Sequence, residues 1–374
     1  LVKINLLSSI FYLSFLPRIN KRCMDFKENQ NVGTMDVLER HQFDVEALNA
    51  FMKETIDGFE GPIEIEEFKG GQSNPTYLIK SKNRSYVLRR KPPGKLLKSA
   101  HAVDREYRVI TALNNTDVPV PTTYALCEDN EIIGTAFYLM EFMDGRVLWD
   151  PSMEDSSIEE ASGVYASMNN TLAKLHSVDP LKINLESFGK PGNYVGRQIS
   201  IWTKQYTDSE TEEIIEMNKL IDWLPKNLPS DKPLRIVHGD FSLTNLMMHK
   251  EKPEVIAILD WELSTLGDPC ADFSYHCMQY RLNPNLSDEE YCKKTGIPTE
   301  EEYLSMYSDK TGYDLNEEWE LYMAYNLFKS AGILQGILGR VRDGTAASKH
   351  AKDMAARVRP LAEGAWKLIE ENFI

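Results

Sequence analysis

The segment HGDFSLTN, residues 238–245, places a carboxylate and an amide directly after an apolar run. PLRIV precedes it, and a second apolar run, EVIAILDWE, follows after LMMHKEKP. A polar group costs free energy when it is buried without a partner. We therefore expect Asp240, Asn245 and Asp260 either to cap their own loops or to hold a charged group.

The residues between Asn245 and Asp260 have the pattern of a β-hairpin, because two strand-like runs flank the turn signal KEKPE. The open ends of a hairpin lie side by side, so we predict that these two side chains are neighbours and that Asp240 lies on the loop before them. Mg²⁺ prefers such oxygen ligands together with phosphate and water, and a third carboxylate can act as a base toward a hydroxyl. Turn capping explains any one of the three alone, whereas the combined spacing favours a site.

Alternating apolar residues in IEIEEF, TYLIKS and SYVLRRK predict three short strands. A helix follows in SAHAVDREYRVITALNN, and two more strands lie in VPVPTTYALCEDNEIIGTAFYLMEF on either side of a polar turn. After residues 143–145 most segments have helical periodicity. We therefore predict an α+β, bilobal chain with a five-stranded antiparallel N-terminal lobe over residues 35–142 and a mainly helical C-terminal lobe over residues 143–374.

Glu106 lies on the same helical face as Val103 and Ile110, so it is predicted to face inward. An inward acid requires a cation, and Arg89 on the preceding strand is the candidate. The pair would fix the helix to the sheet and could present the guanidinium to phosphate oxygens. A purely structural ion pair explains the same pattern.

KGGQSNP separates the first two strands. Gly70 and Gly71 permit a tight hairpin whose N–H groups can approach phosphates, although glycine hairpins are common.

The net charge of −15 argues against a surface for nucleic acid or for an anionic membrane. The five scattered cysteines include no CxxC pair, which favours a reducing compartment and buried thiols over disulfides or zinc. The apolar and then basic start, INLLSSIFYLSFLPRINKR, is too short to span a bilayer comfortably. We expect residues 1–34 to lie outside the fold as a targeting peptide or a gene-model extension, with Met24 or Met35 as alternative starts.

The order of a glycine hairpin, a basic strand, an inward Glu, YLMEFMDG, HGDFSLTN and ILDWE resembles the aminoglycoside phosphotransferase family, a branch of the protein-kinase-like fold. The resemblance covers about residues 45–370. Within that family, the chain most resembles the kinase-like domain that precedes the dehydrogenase in acyl-CoA dehydrogenase family members 10 and 11. Three segments carry this narrower resemblance: GKPGNYVGRQISIWTKQY, TGIPTEEEYLSMY and AGILQGILGRV. We expect no dehydrogenase domain in the 374 residues.

The resemblance implies a role for each matching position. Asp240 would be the catalytic base or the residue that orients the acceptor hydroxyl, and Asn245 and Asp260 would bind Mg²⁺. The resemblance also implies a set of ATP-binding residues, in which the glycine hairpin covers the phosphates, Arg89 and Glu106 support them, and the segment after the fifth strand contacts adenine. That set is Gly71, Ser73, Asn74, Arg89, Glu106, Glu141 and Met143.

The sequence departs from the kinase pattern in three places. Arg89 occupies the strand position where kinases usually have Lys, and the two side chains are not interchangeable. Gly239 stands where protein kinases have Arg. GDPCADFSYH follows Asp260 closely, without a long activation segment, which argues against a protein substrate. Asp268 and Asp272 flank the start of a predicted helix, and we interpret them first as caps or loop braces and second as site residues.

The predicted function is Mg-ATP-dependent phosphorylation of a small-molecule hydroxyl. The resemblance implies a hydroxy acid or its CoA thioester, in fatty-acid breakdown. One alternative is a kinase for choline, a sugar or an aminoglycoside, since the acidic chain suits a cationic acceptor. Another is a catalytically silent nucleotide-binding module. The predicted location is intracellular, with cytosol, mitochondrion and peroxisome all open, and the oligomeric state stays open.

Overall fold

The computed structural model describes residues 33–69, 74–93, 101–343 and 351–374. These residues divide into two compact units. The first contains the described residues up to Lys174, together with Leu181–Leu185 and Ser242–Ser264; the second contains Leu175–Pro180, Glu186–Phe241 and the described residues from Thr265 onward. The hairpin and the segment up to Lys174 group with the first unit, although they follow the predicted lobe boundary at residue 142.

The strands are β1 (Thr34–Met35), β2 (Glu64–Phe68), β3 (Thr76–Lys80), β4 (Ser85–Arg90), β5 (Thr123–Cys127), β6 (Phe137–Glu141), β7 (Arg235–Val237), β8 (Leu246–Met248), β9 (Val255–Ile258) and β10 (Thr265–Gly267). The α-helices are α1 (Val45–Thr55), α2 (Val103–Leu113), α3 (Asn130–Ile133), α4 (Ile158–Ser177), α5 (Tyr194–Ser209), α6 (Ile215–Trp223), α7 (Pro269–Cys277), α8 (Gln279–Leu282), α9 (Glu289–Thr295), α10 (Glu300–Thr311), α11 (Trp319–Arg342) and α12 (Ala351–Phe373).

The first unit is built on an antiparallel sheet with the strand order β1-β2-β3-β4-β6-β5. The five predicted strands are confirmed. The edge strand β1 was not predicted, and its Thr34 pairs with Phe68, so the sheet begins one residue before the predicted boundary at residue 35. The stretch between β5 and β6, predicted as a polar turn, contains the one-turn helix α3 because Asp129 caps it by accepting from the Glu131 N–H at 2.9 Å. Residues 1–32 of the predicted leader lie outside the described residues.

The two faces of this sheet bury different side chains, as the period of two in a strand requires. One face packs against α1, whose Leu48 and Met52 join a core with Tyr77 and Leu88. Arg89, next to Leu88 in β4, lies on the opposite face, where it contacts α2. Arg89 of the predicted nucleotide site thus lies on the face away from the apolar core, whereas Glu141 pairs with Tyr86 of that core.

The second unit is mainly helical, with one two-stranded sheet of β7 and β10. Its helix α11 is buried over most of its length and packs against α5, α7 and α12. Asp268 caps α7 by accepting from the backbone N–H groups of Cys270 and Ala271 at 2.8 and 3.3 Å, which confirms the cap that its position predicts. In the ranges given above, no helix combines the length and the apolar character that crossing a bilayer demands.

Four of the cysteines are buried free thiols, Cys127, Cys270, Cys277 and Cys292. This confirms the predicted behaviour of scattered cysteines for these four, and Cys23 lies outside the described residues. All four sit within packed elements, where a thiol acts as a small apolar group.

Candidate functional site

Arg89 of β4 joins two acids that are far apart in the sequence. Its Nε lies 2.8 Å from Oε2 of Glu106, and its Nη2 lies 2.7 Å from Oδ1 of Asp260. The predicted ion pair with Glu106 is confirmed; the second pair was not predicted. Burial alone would lower the pKa of Arg89, but Glu106 and Asp260 raise it above its ordinary value, so the guanidinium stays charged.

Glu106 is the centre of a buried polar cluster on α2. Its Oε1 accepts from Asn74 Nδ2 at 2.9 Å, and its Oε2 accepts from the Tyr138 hydroxyl at 3.1 Å. Burial raises the pKa of this carboxyl, while Arg89 lowers it. Each oxygen of the 1 % exposed Glu106 has a partner, so the carboxylate can hold Arg89 in one orientation.

Asn74 connects this cluster to the start of α2. Its Oδ1 lies 2.7 Å from Nδ1 of His101, two residues before the helix begins. Asn74 itself is fully buried. Gly71 and Ser73, the other predicted phosphate-loop residues, lie outside the described residues, so their phosphate contacts stay predictions.

Asn245 and Asp260 flank the open end of the β8–β9 hairpin, as predicted. Leu246 pairs with Ile258, and the Leu259 N–H donates to the Asn245 carbonyl at 2.8 Å. Asp260 has a left-handed backbone with φ +62°, a conformation that Asp tolerates better than most residues. The left-handed turn ends the strand and starts the short 3₁₀ turn Trp261–Leu263.

The hairpin end fits a hard divalent cation by the chemistry of its side chains. Asn245 offers an amide oxygen, and Asp260 offers a carboxylate with only Oδ1 engaged by Arg89. Within the described ranges, Oδ2 of Asp260 has no hydrogen-bond partner in the chain. Mg²⁺ commonly takes one or two protein oxygens and completes its shell with water and phosphate.

The segment after β6 contains Met143, a half-buried residue whose backbone groups are candidates for contact with a planar ligand. Glu141 ends β6 and pairs with Tyr86 across the sheet, and its side chain accepts from the Thr122 N–H at 3.2 Å. Met143 lies two residues further on. Neither its N–H nor its carbonyl bonds to another residue in the described part of the chain, so both stay available for a ligand.

Asp240 belongs to the second unit, where α7 holds its loop. The two oxygens of Asp272 accept from the backbone N–H groups of His238 and Gly239, each at 2.8 Å. Gly239 has φ +85°, which explains why glycine occupies the place of the kinase Arg. The next residue, Asp240, is 3 % exposed, so its carboxylate is held in a low-dielectric setting.

Asp272 is itself held by histidine. Nε2 of His176 lies 3.2 Å from Asp272 Oδ2, and Nδ1 of His176 lies 2.7 Å from the Tyr307 hydroxyl. Burial alone would raise the pKa of Asp272, but hydrogen bonding and charge from His176, with the His238 N–H, lower it below its usual range. The carboxylate is therefore ionised, and the interpretation of Asp272 as a loop brace is confirmed.

The sequence patterns do not predict the roles of Tyr138 and His176 in these clusters, nor the burial of Lys329. Tyr138 and His176 gave no signal, because each lies within an ordinary strand or helix pattern. Lys329 did leave a signal: it is a charged residue inside the apolar stretch YNLFKSAGILQG. In the structure it is a buried residue of α11.

A family model described as "Phosphotransferase enzyme family" matches residues 64–308. The mouse protein named acyl-CoA dehydrogenase family member 10 is 46% identical over 327 residues, which cover 86% of this chain and 31% of the mouse protein. The human protein named acyl-CoA dehydrogenase family member 11 is 38% identical over 347 residues, covering 90% of this chain and 44% of the human protein. The chain thus spans less than half the length of either relative.

One solved structure is similar to this chain in both sequence and fold. It is a crystal structure of a putative aminoglycoside phosphotransferase from Ralstonia eutropha, with 47% identity and a TM-score of 0.82; the match covers 88% of this chain and 99% of that one. The agreement confirms the predicted kinase-like fold with an antiparallel N-terminal sheet and a helical C-terminal part. Together with the family match, it shows that this chain belongs to the aminoglycoside phosphotransferase family.

Proposed function

We propose that the chain transfers the γ-phosphate of Mg-ATP to a hydroxyl of a small molecule. The observation that carries this proposal is the hairpin end, where Asn245 and Asp260 offer oxygen ligands and Arg89 joins Asp260 to Glu106. Phosphoryl transfer needs positioning and neutralised charge more than covalent chemistry from the protein. A fixed cation and two metal-binding oxygens are the groups that such a reaction uses.

The roles follow from the chemistry of each group. The acceptor hydroxyl oxygen forms a bond to the γ-phosphorus while the bond from that phosphorus to the β–γ bridging oxygen breaks, and ADP leaves. Asp240 takes the hydroxyl proton. Asn245 and Asp260 would hold Mg²⁺, which when bound would supply positive charge for the phosphate oxygens. Arg89 supplies a further fixed positive charge, and the backbone of Met143 is available to adenine.

The acceptor in this proposal is a hydroxy acid or its CoA thioester. The relatives are named as acyl-CoA dehydrogenases, and a kinase joined to such an enzyme would act on a related acyl compound. The net charge of −15 favours a second candidate, a cationic acceptor such as choline or an aminoglycoside. Fatty-acid breakdown is the metabolic setting that the first candidate implies.

The test is phosphate transfer by the full chain to a panel of hydroxy acids, their CoA thioesters, choline, sugars and an aminoglycoside. Asp240→Asn should bind ATP as the wild type does and lose transfer; full transfer by this variant would reject Asp240 as the base. The matched control is Asp222→Asn, an exposed Asp of α6 paired with Lys226. Turnover in one class of acceptor alone selects the substrate.

The metal assignment needs a separate variant. Asp260→Ala should lose the Mg-dependent part of nucleotide binding, measured as the thermal shift with Mg-ATP minus that with ATP and EDTA. Asp144→Ala is the control, because Asp144 is an exposed acid paired with Lys250 in the hairpin turn. An unchanged Mg-dependent shift in Asp260→Ala would reject the metal site. ATP binding without transfer to any acceptor would favour the silent module.

A further inference from the structure

Lys329 is a buried cation that no step of the proposed reaction uses. It lies within α11, flanked by Phe328 and Ser330, and is 7 % exposed. Lysine is rarely buried unless it is paired, because burial removes the hydration of its ammonium and apolar neighbours offer no hydrogen-bond acceptors in return. A buried lysine in an apolar helix therefore needs an explanation.

The position of Lys329 is fixed against α7, the helix that holds the Asp240 loop. Its Nζ lies 4.1 Å from the centroid of the Tyr275 ring. Tyr275 is one helical turn after the loop brace Asp272. One turn before Lys329, Asn326 donates to the Ala271 carbonyl at 3.1 Å and to Ser274 Oγ at 2.8 Å. These contacts lock the lysine-bearing turn of α11 onto α7.

The ammonium of Lys329 has no acceptor in the described part of the chain. It makes no hydrogen bond there and no ion pair within 4.0 Å; instead it lies over the face of the Tyr275 ring. Lys232, by comparison, lies 2.8 Å from a carboxylate oxygen of Glu318. An ammonium carries three N–H donors, and a ring face replaces only part of their hydration.

The charges that face Lys329 come from two elements. Burial lowers its pKa to about 8, and Asp272 of α7 and Asp240 of the loop oppose that change. The oxygens of Asp272 are already engaged by His176, His238 and Gly239. The ammonium thus lies within the field of both carboxylates and forms a direct ion pair with neither. A residue whose only task was to neutralise Asp240 would be expected to contact it.

Resting on the proposed function, we propose that Lys329 binds the acyl oxygen of the hydroxyl acceptor. The acyl oxygen belongs either to the carboxylate of a free hydroxy acid or to the thioester carbonyl of its CoA derivative. Such an oxygen accepts the free N–H donors. A fixed cation near Asp240 also repels quaternary and primary ammonium groups, so it disfavours choline and aminoglycosides.

A binding experiment tests this assignment without turnover. The full chain is titrated by calorimetry with 2-, 3- and 4-hydroxyoctanoate, with their CoA thioesters and with choline. The wild type should bind at least one acyl probe at least tenfold more tightly than choline. Lys329→Met should weaken that probe by about tenfold or more, since a charge-assisted hydrogen bond is lost. Lys329→Arg, which keeps the charge, should restore part of the affinity.

The controls separate binding from folding and from catalysis. Lys204→Met removes an exposed lysine of α5 paired with Asp208 and should leave all affinities unchanged. Unchanged acyl affinity in Lys329→Met, no acyl binding by the wild type, or tighter binding of choline would each overturn the assignment. Acyl binding that depends on Lys329, without phosphate transfer, would reject the proposed function and support the acyl site. Phosphate transfer that does not depend on Lys329 would support the proposed function and reject the acyl site.

Discussion

The carboxylate of Asp272 accepts the backbone N–H of Gly239 at 2.8 Å, so a helix of the second unit sets the conformation of the residue directly before Asp240. The neighbouring N–H of His238 bonds to the other oxygen at the same distance. Two hydrogen bonds to consecutive N–H groups fix both the position and the rotation of the loop. The orientation of Asp240 therefore depends on Asp272 staying ionised.

We expect Asp272→Asn to lower the free energy of unfolding by about 3–5 kcal/mol, because a buried carboxylate with three charge-assisted partners is lost. The turnover number should fall far more than the affinity for ATP. Denaturant unfolding and ATP titration measure the two effects. Asp268→Asn is the matched control, since Asp268 is a buried acid of the same helix start that caps α7 without bonding to the loop. Equal turnover numbers for the two variants would contradict the role of Asp272.

His276 makes stability depend on pH in a defined window. It is fully buried between the Phe241 carbonyl at 3.2 Å and the Tyr303 hydroxyl at 2.9 Å, and burial lowers its pKa to about 4. A lowered histidine pKa means that the folded state prefers the neutral ring. Its contribution is complete above the unfolded pKa near 6.5 and is lost as the pH falls toward 4, by about 3 kcal/mol.

The measurement is the free energy of unfolding between pH 7 and pH 4 for the wild type and His276→Gln. The variant should lose the part of the pH dependence that lies between 6.5 and 4. Asp272 acts in a lower window: its pKa is lowered, so its contribution is present above the unfolded pKa near 3.9 and disappears as the pH falls through the folded value. Identical slopes for both proteins from pH 6.5 to 4 would show that His276 titrates normally.

Arg89 and Glu106 should be strongly coupled. Arg89→Met leaves the buried Glu106 without its cation, which costs about 3–5 kcal/mol. Adding Glu106→Gln removes the uncompensated charge, so the double variant should be more stable than Arg89→Met alone. A double-mutant cycle by denaturant unfolding gives the coupling energy. The exposed pair of Asp222 and Lys226 is the control, with an expected coupling below about 0.5 kcal/mol; additive effects at Arg89 and Glu106 would contradict the prediction.

Local patterns in the sequence predicted the parts of this fold that local chemistry decides. Alternation gave the five strands of the main sheet, and the turn signal KEKPE gave the hairpin that places Asn245 beside Asp260. The pair of Arg89 and Glu106 followed from an inward acid that needed a cation. Each inference used residues within about one supersecondary unit.

Contacts between distant segments had no such signal. Arg89 reaches Asp260 across 171 residues, and Asp272 reaches Gly239 across 33. The sequence pattern of β4 or α7 is the same whether or not those partners are near. Lys329 is the exception, because a charge inside an apolar helix marks a buried site before any partner is known.

Lys329 should weaken the fold that carries it. Burial lowers its pKa from 10.5 to about 8, so the folded state binds a proton less tightly than the unfolded state does. The resulting cost is fully present below pH 8 and fades as the pH rises toward 10.5; it amounts to about 3 kcal/mol. Contact with Tyr275 offsets about 1–2 kcal/mol of it.

Lys329→Met should therefore be more stable than the wild type by about 1–2 kcal/mol at pH 7, and the gain should shrink at pH 10. Denaturant unfolding at the two pH values measures this, with Lys204→Met as the exposed control. A less stable Lys329→Met at pH 7 would mean that the lysine supports the fold; a more stable variant that loses affinity for acyl probes would show a cation kept for its ligand at the expense of stability.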